Sequence, residues 1–157
     1  MLTKPRLGFR PRVSTEGPQR QLSEKSRPEL WGQLVAGIFS LPGVQERHSQ
    51  VSPPTSRGVF LTDLASERSA ETSLAPGQRL EPVHVHGVDD TSIHVCLPAE
   101  RGHRLTELGW AEPHQYGDTG CEFLIYGPRT TAELEVVLTI VAESLDFARG
   151  NTERMSH

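Results

Sequence analysis

With 157 residues, a formal charge of −4 and 35% hydrophobic residues, the chain has the means for one domain around a moderate core. No run approaches the roughly 20 apolar residues that span a bilayer, so no membrane association is expected. Two cysteines are too few for a disulfide scaffold, and Cys96 and Cys121, both in apolar strand-like surroundings, are expected as buried, reduced thiols.

Charge is unevenly distributed. Residues 1–27 carry seven Lys and Arg against two Glu, whereas the remainder carries nine bases and eighteen acids. A basic arm on an acidic body can touch nucleic acid, an anionic surface or its own domain. Lacking aromatic interleaving or a basic helix, this segment reads as a solvated, flexible leader, and no specific nucleic-acid partner is expected. Its start, "MLTKPRLGFRPRVST", has no apolar signal core. It is Arg-rich like an organellar transit peptide, but Pro5 and Pro11 oppose the helix such peptides use, so a cytoplasmic protein is expected.

The domain is expected over 28–149. Ser26 and Glu29 have capping-box spacing and Pro28 suits a first helical turn. Leu30, Trp31, Leu34, Val35 and Ile38 then recur at helical spacing to about Ser40. "VQERHSQVS" and "RGVFLTDL" predict two strands around the turn-prone "PPTS", and residues 66–80 a polar connection. A hairpin, "EPVHVHGVDDTSIHVC", follows. "PAERGHRLTELGW" predicts a short helix between Pro98 and Gly109, weakened by Gly102. "AEPHQYGDTG" predicts a loop, and "CEFLIYG" a strand covered on both faces. The last helix is the clearest: Thr130 and Glu133 have capping-box spacing, and Leu134, Val137, Leu138, Val141 and Leu145 trace a buried stripe. Arg149 and Gly150 end it, and a polar tail, 150–157, follows. This order predicts an α+β two-layer sandwich, with helices on one face of a mostly antiparallel sheet.

The hairpin holds three of the seven histidines. Side chains alternate along a strand, so His84 and His86 share a face opposite Val83 and Val85. On the return strand His94 and Cys96 lie opposite Ile93, Val95 and Leu97. Making the aliphatic faces coincide requires paired positions of even sum, as in His86 opposite Asp90 or His84 opposite His94. Either register gathers His84, His86, His94 and Cys96 on one face. Three uses of that face stay open. As metal ligands the imidazoles suit Zn or Fe, with Glu81, Asp89 or Asp90 completing the shell. As a metal-free catalytic site, one neutral histidine takes a proton from an acidic substrate while another polarises an oxygen. As structure, the imidazoles bond one another under covering loops.

Elsewhere, "YGPR" sets Tyr126 and Arg129 before a helix N-terminus, where Arg129 can help hold an anion or pair with a neighbouring carboxylate. "GWAEPH" offers Trp110, Glu112 and His114, with Trp110 read chiefly as a core anchor and His114 as either a pocket residue or an exposed one. No nucleophile elbow, P-loop, dinucleotide fingerprint or Cys-x-x-Cys pair occurs, so hydrolase, nucleotide-switch and zinc-finger classes lack their signals, and no cofactor is indicated.

These segments taken in order resemble the luciferase domain family of bacterial and fungal proteins. The resemblance rests on the Trp31 helix ending in "LPGV", on "VSPP", "VHVHG", "TSIHVCLP" and "ELGWAEPH", and on "YGPRTTAELEVVLTIVAESLDFA", covering about residues 30–148. It implies an oxygenase that oxidises a luciferin-like small molecule with light emission, and it carries His84, His86, His94 and Arg129 over as site positions. Gly87, Gln115 and Tyr116 depart from the family pattern of Pro after the histidine pair and Pro-Leu after "EPH". The expected partner is thus a small-molecule ligand, with the oligomeric state left open. The alternatives are a binding or regulatory module whose histidine face contacts a partner, and a metal-binding protein.

Overall fold

The computed structural model describes residues 3–16, 18–53, 55–115 and 120–151. The elements are α1 (Pro28–Phe39), β1 (Val44–His48), β2 (Arg57–Leu61), β3 (Val83–Val85), β4 (Ser92–Cys96), α2 (Ala99–Glu107), β5 (Ala111–Pro113), β6 (Glu122–Tyr126) and α3 (Thr131–Arg149). The strands form one sheet in the order β1-β2-β3-β4-β6-β5, antiparallel at every step. This is the α+β sandwich expected from the element order.

Strand alternation sorts the two faces. Val59, Val83, Val85, Ile93, Val95, Phe123 and Ile125 face the helices, and pack with Leu34 and Ile38 of α1, Leu105 of α2, and Val137, Val141 and Leu145 of α3. Each of these side chains contributes about 1.5–3 kcal/mol on full burial. Gly102, a weak helix residue by propensity, sits where a Cβ would lie 2.1 Å from the Phe123 ring. Its hydrogen is what lets α2 approach β6. Arg101 of α2 and Glu143 of α3 form a buried two-point ion pair, at 2.8 and 3.0 Å.

The helix ends differ in their chemistry. In α3 the Thr130 hydroxyl accepts from the Glu133 N–H at 3.1 Å, and Gly150 closes the helix in the left-handed conformation that its lack of a Cβ permits. In α1 Pro28 opens the helix, but the expected Ser26–Glu29 capping box does not form and no side chain caps it. The Ser26 hydroxyl donates instead to the Pro128 carbonyl, and the Ser26 N–H to Thr91 Oγ1.

Two further expectations are corrected. Residues 111–113, read as loop, form an edge strand with Ala111 opposite Ile125 and Pro113 opposite Phe123. Three residues are too few to display alternation, and proline is tolerated on a sheet edge. The rest of that predicted loop includes residues 116–119, which lie outside the described residues, as do Pro54 of the "PPTS" turn and tail residues 152–157.

The leader, expected as solvated, lies against the body. The Arg6 N–H donates to the Leu108 carbonyl at 2.9 Å, and Trp110 Nε1 to the Lys4 carbonyl at 2.7 Å. Val13 bridges to Gln21. Gln21 is fully buried: its N–H donates to Asp90 Oδ1 at 3.0 Å and its side-chain oxygen accepts from the Gly127 N–H at 2.9 Å. These are polar contacts between residues far apart in sequence, invisible to apolar periodicity. No helix among the described residues is long and apolar enough to cross a membrane.

Candidate functional site

The site is built on the β3–β4 hairpin, the two central strands. Of the two registers that the aliphatic pattern allows, the structure has His84 opposite His94, flanked by Val83–Val95 and Val85–Ile93. Residues 87–91 make the turn. With the valines committed to the core, His84, His86 and His94 project from the opposite face. Their ring centroids are 4.6–5.1 Å apart, in edge-to-face contacts. His114, just beyond β5, completes the group with its ring 4.5 Å from that of His94.

This is not the outer surface of a sheet. His84, His86 and His94 are 4%, 8% and 5% exposed. Above them lies a cavity of about 940 Å³, with all four histidines in its lining. Its other walls come from leader residues 18–20, from residues 51–53, 55 and 56 before β2, and from the turn at 87–90. Mutual hydrogen bonding and an adjoining cavity, which the sequence reading set against each other, occur together.

The bonding has an order. Glu81, fully buried ahead of β3, accepts at Oε1 from the Gln50 N–H at 2.8 Å, and at Oε2 from the Ser49 hydroxyl at 2.6 Å. His84 Nδ1 lies 3.1 Å from the same Oε2. On its far side, His84 Nε2 lies 3.0 Å from His94 Nδ1. His94 Nε2 is buried and has no hydrogen-bond partner among the described residues. His86 Nδ1 lies 2.9 Å from the Ser92 carbonyl, an acceptor only, so that nitrogen carries the proton.

Burial sets the electrostatics. It pushes the His86 imidazole down to about 3, with help from His84, although Asp90 Oδ2 stands 3.2 Å away. The Asp90 carboxyl is itself raised by burial, against the bonds from Ser92 and Gln21, so the pair is governed by desolvation more than by mutual attraction. Burial and the neighbouring histidines hold His94 well below the usual imidazole range, and His114 is lowered in the same way. Burial alone would raise Glu81, but His84, the Gln50 N–H and Ser49 hold it below the usual carboxylate range. Burial thus holds His86, His94 and His114 toward the neutral form, each with a lone pair available though of reduced basicity, near the buried carboxylate of Glu81. Cys96 shares the face but is buried with its thiol raised well above the usual value, so it offers no thiolate.

His84, His86 and His94 can each present a ligand atom within 4.8 Å of the others'. For His84 Nε2 to ligate an ion, however, its bond to His94 Nδ1 would have to open.

The remaining residues singled out in the sequence fall elsewhere. Trp110 is a core residue on the helix side. Tyr126 shares the histidine face, but its hydroxyl donates to Glu112 Oε1 at 2.7 Å and accepts from Arg10 at 2.9 Å, beneath the leader. Arg129 pairs with Glu133 at 2.7 Å and donates to the Leu7 carbonyl. Its anion is thus supplied by its own helix, and none of these three lines the cavity. Asp89 and Asp90 are at the rim. The sequence reading missed Gln19 and Arg20 as cavity residues and gave Glu81 only a place in a metal shell. The three-residue step from Glu81 to His84 carries no signature in sequence.

The family model described as luciferase domain matches residues 79–144, which run from just before Glu81 through most of α3. Over that segment the chain is similar to the luciferase domain family. Among curated relatives, the chain is similar to the luciferase of Armillaria gallica, 26% identical over 163 residues, covering 91% of this chain and 60% of that protein. It is 27% identical over 165 residues to the luciferase of Armillaria mellea, with the same coverages, and 25% identical over 162 residues to that of Neonothopanus nambi, covering 90% and 59%. The chain therefore spans about 60% of the length of these fungal relatives. No solved structure matches it.

Proposed function

We propose that this protein is a small-molecule enzyme of luciferase type, in which the histidine face acts as a metal-free base toward an acidic substrate held in the cavity. One observation carries the reading: His94 presents a buried, unpartnered Nε2 at the lining of a large cavity, while its other nitrogen is engaged. A substrate O–H or C–H placed against that nitrogen gives up its proton to it. The electron-rich anion left behind is the species that dioxygen oxidises. The proximity of His86 and His114 gives the substrate further imidazole contacts, suited to orienting an oxygen atom. The name of the relatives, luciferase, supports an oxygen-consuming reaction. Two buried cysteines outside any disulfide suit a reducing compartment and a cytoplasmic location.

The test is a thermal-shift screen of weakly acidic small organic molecules on wild type and His94→Ala, with hits followed by oxygen uptake and light emission. A compound at a hundred times its Kd stabilises the wild type by about 2.7 kcal/mol and the variant by far less. Equal stabilisation of both proteins by every hit sinks the base assignment. Stoichiometric Zn or Fe in the purified protein would overturn its metal-free character.

A further inference from the structure

Glu81 does not itself line the cavity, yet the direction of every proton in the histidine chain depends on it. We infer that Glu81 is a positioning residue that fixes the ring tautomer of His94 by acting through His84, and so keeps the lone pair on His94 Nε2. This deepens the base reading above and rests on it for its catalytic meaning, although the tautomer itself exists without any ligand.

A carboxylate only accepts, so with His84 neutral its Nδ1, 3.1 Å from Glu81 Oε2, must carry the hydrogen. His84 Nε2 is then the lone-pair nitrogen and accepts. Its partner at 3.0 Å, His94 Nδ1, must donate. A neutral His94 with its proton on Nδ1 leaves Nε2 bare. The chain polarises in one sense from Glu81 to His94, and an unpartnered Nε2 is where a base would have to end. Had the chain run the other way, a buried N–H would stand there instead.

The surroundings of Glu81 make the inference testable by a single atom. Its Oε1 faces the Gln50 backbone N–H at 2.8 Å and the Gln50 side-chain amide at 3.3 Å, so that position tolerates only an acceptor. In Glu81→Gln the carbonyl oxygen therefore keeps the Oε1 place and the NH2 takes the Oε2 place. That NH2 faces the Ser49 hydroxyl, which can turn and accept, and His84 Nδ1. His84 must then accept at Nδ1, donate from Nε2, and hand His94 a donor where it formerly met an acceptor. The lone pair of His94 moves to Nδ1 and a hydrogen appears on Nε2. A near-isosteric change about two side chains away removes the base without touching it.

Nitrogen-15 spectra of the histidine rings distinguish bare from protonated nitrogens directly. They are recorded on ligand-free protein at about pH 8, above the usual imidazole range near 6.5. The expected result is a bare Nε2 on His94 in wild type and a bare Nδ1 in Glu81→Gln. Ser49→Ala, which leaves the Glu81–His84 contact in place, should keep the wild-type pattern. A wild-type His94 with its proton on Nε2, as an imidazolium at His84 would impose, overturns the inference. So does a Glu81→Gln protein whose His94 tautomer is unchanged. If Glu81→Gln does not fold, the wild-type spectrum decides alone. The two readings fail separately: an inverted tautomer with no ligand from the screen supports the positioning role and sinks the base site, whereas a His94-dependent ligand with an unmoved tautomer does the reverse.

Discussion

A buried neutral histidine is a debt to acid. His86 is held near 3 in the fold by burial, against about 6.5 in an unfolded chain. The unfolded state therefore takes up its proton first as pH falls. The stability tied to the neutral ring is fully present above about pH 6.5 and declines toward pH 3, at up to about 1.4 kcal/mol per pH unit. His94, lowered in the same direction, adds to the slope. Glu81 loses its contribution as pH falls through its lowered value, whereas Asp90, raised by burial, opposes the trend in the carboxylate range. The expected outcome is a lower urea midpoint at about pH 5 than at about pH 7.5, with a shallower dependence in His86→Gln. A flat midpoint over that interval would contradict the burial of these rings.

At the level of elements, Gly102 separates propensity from packing. In an exposed helix interior, alanine would gain about 0.8–1 kcal/mol over glycine. Here the added methyl meets the fully buried Phe123 ring. Gly102→Ala should destabilise by about 1–3 kcal/mol, the usual range for overpacking, as read by denaturant unfolding. A gain in stability would mean that α2 moves freely against β6. The same residue shows how far sequence reading reached. Alternation of His84, His86 and His94 against Val83, Val85, Ile93 and Val95 made the histidine face legible, because a one-residue slip would expose the aliphatic side chains. The stripe from Leu134 to Leu145 was legible from its helical spacing. Gly102 was read as a weakness because its partner, Phe123, is distant in sequence. Ser26 was read as a cap because its spacing fits, whereas tertiary contacts with Thr91 and Pro128 claim it. The cavity itself required knowing what covers the face, and part of that cover, such as Gln19, Arg20, Ser52 and Ser56, is polar and distant in sequence.

For the whole molecule, the distribution of charge gains a structural meaning. The leader, with a net charge of +5, lies against a body of net −9. It supplies Gln19 and Arg20 to the cavity wall and buries Gln21. Its attachment combines backbone hydrogen bonds with screened attraction between exposed charges, whose range is about 10 Å at 0.1 M salt. Proteolysis within residues 3–16 should accelerate as salt is raised, while cleavage elsewhere changes little. Salt-independent cleavage would assign the attachment to hydrogen bonds alone. Removing residues 1–20 should also lower the melting temperature, since Trp110 Nε1 and Tyr126 lose their leader partners.

The order of strands has a consequence at the sheet's margins. The outermost strands are β1 and β5. β1 reads Val-Gln-Glu-Arg-His, largely exposed, with Glu46 joined to Arg57 at 2.8 Å. β5 is three residues long and ends in a proline. Neither margin presents a long, flat, apolar backbone to another chain, so strand addition and sheet-to-sheet aggregation are discouraged at both ends. The valine-rich hairpin that bears the histidines, the segment most prone to such pairing by composition, is sealed between neighbours on both sides.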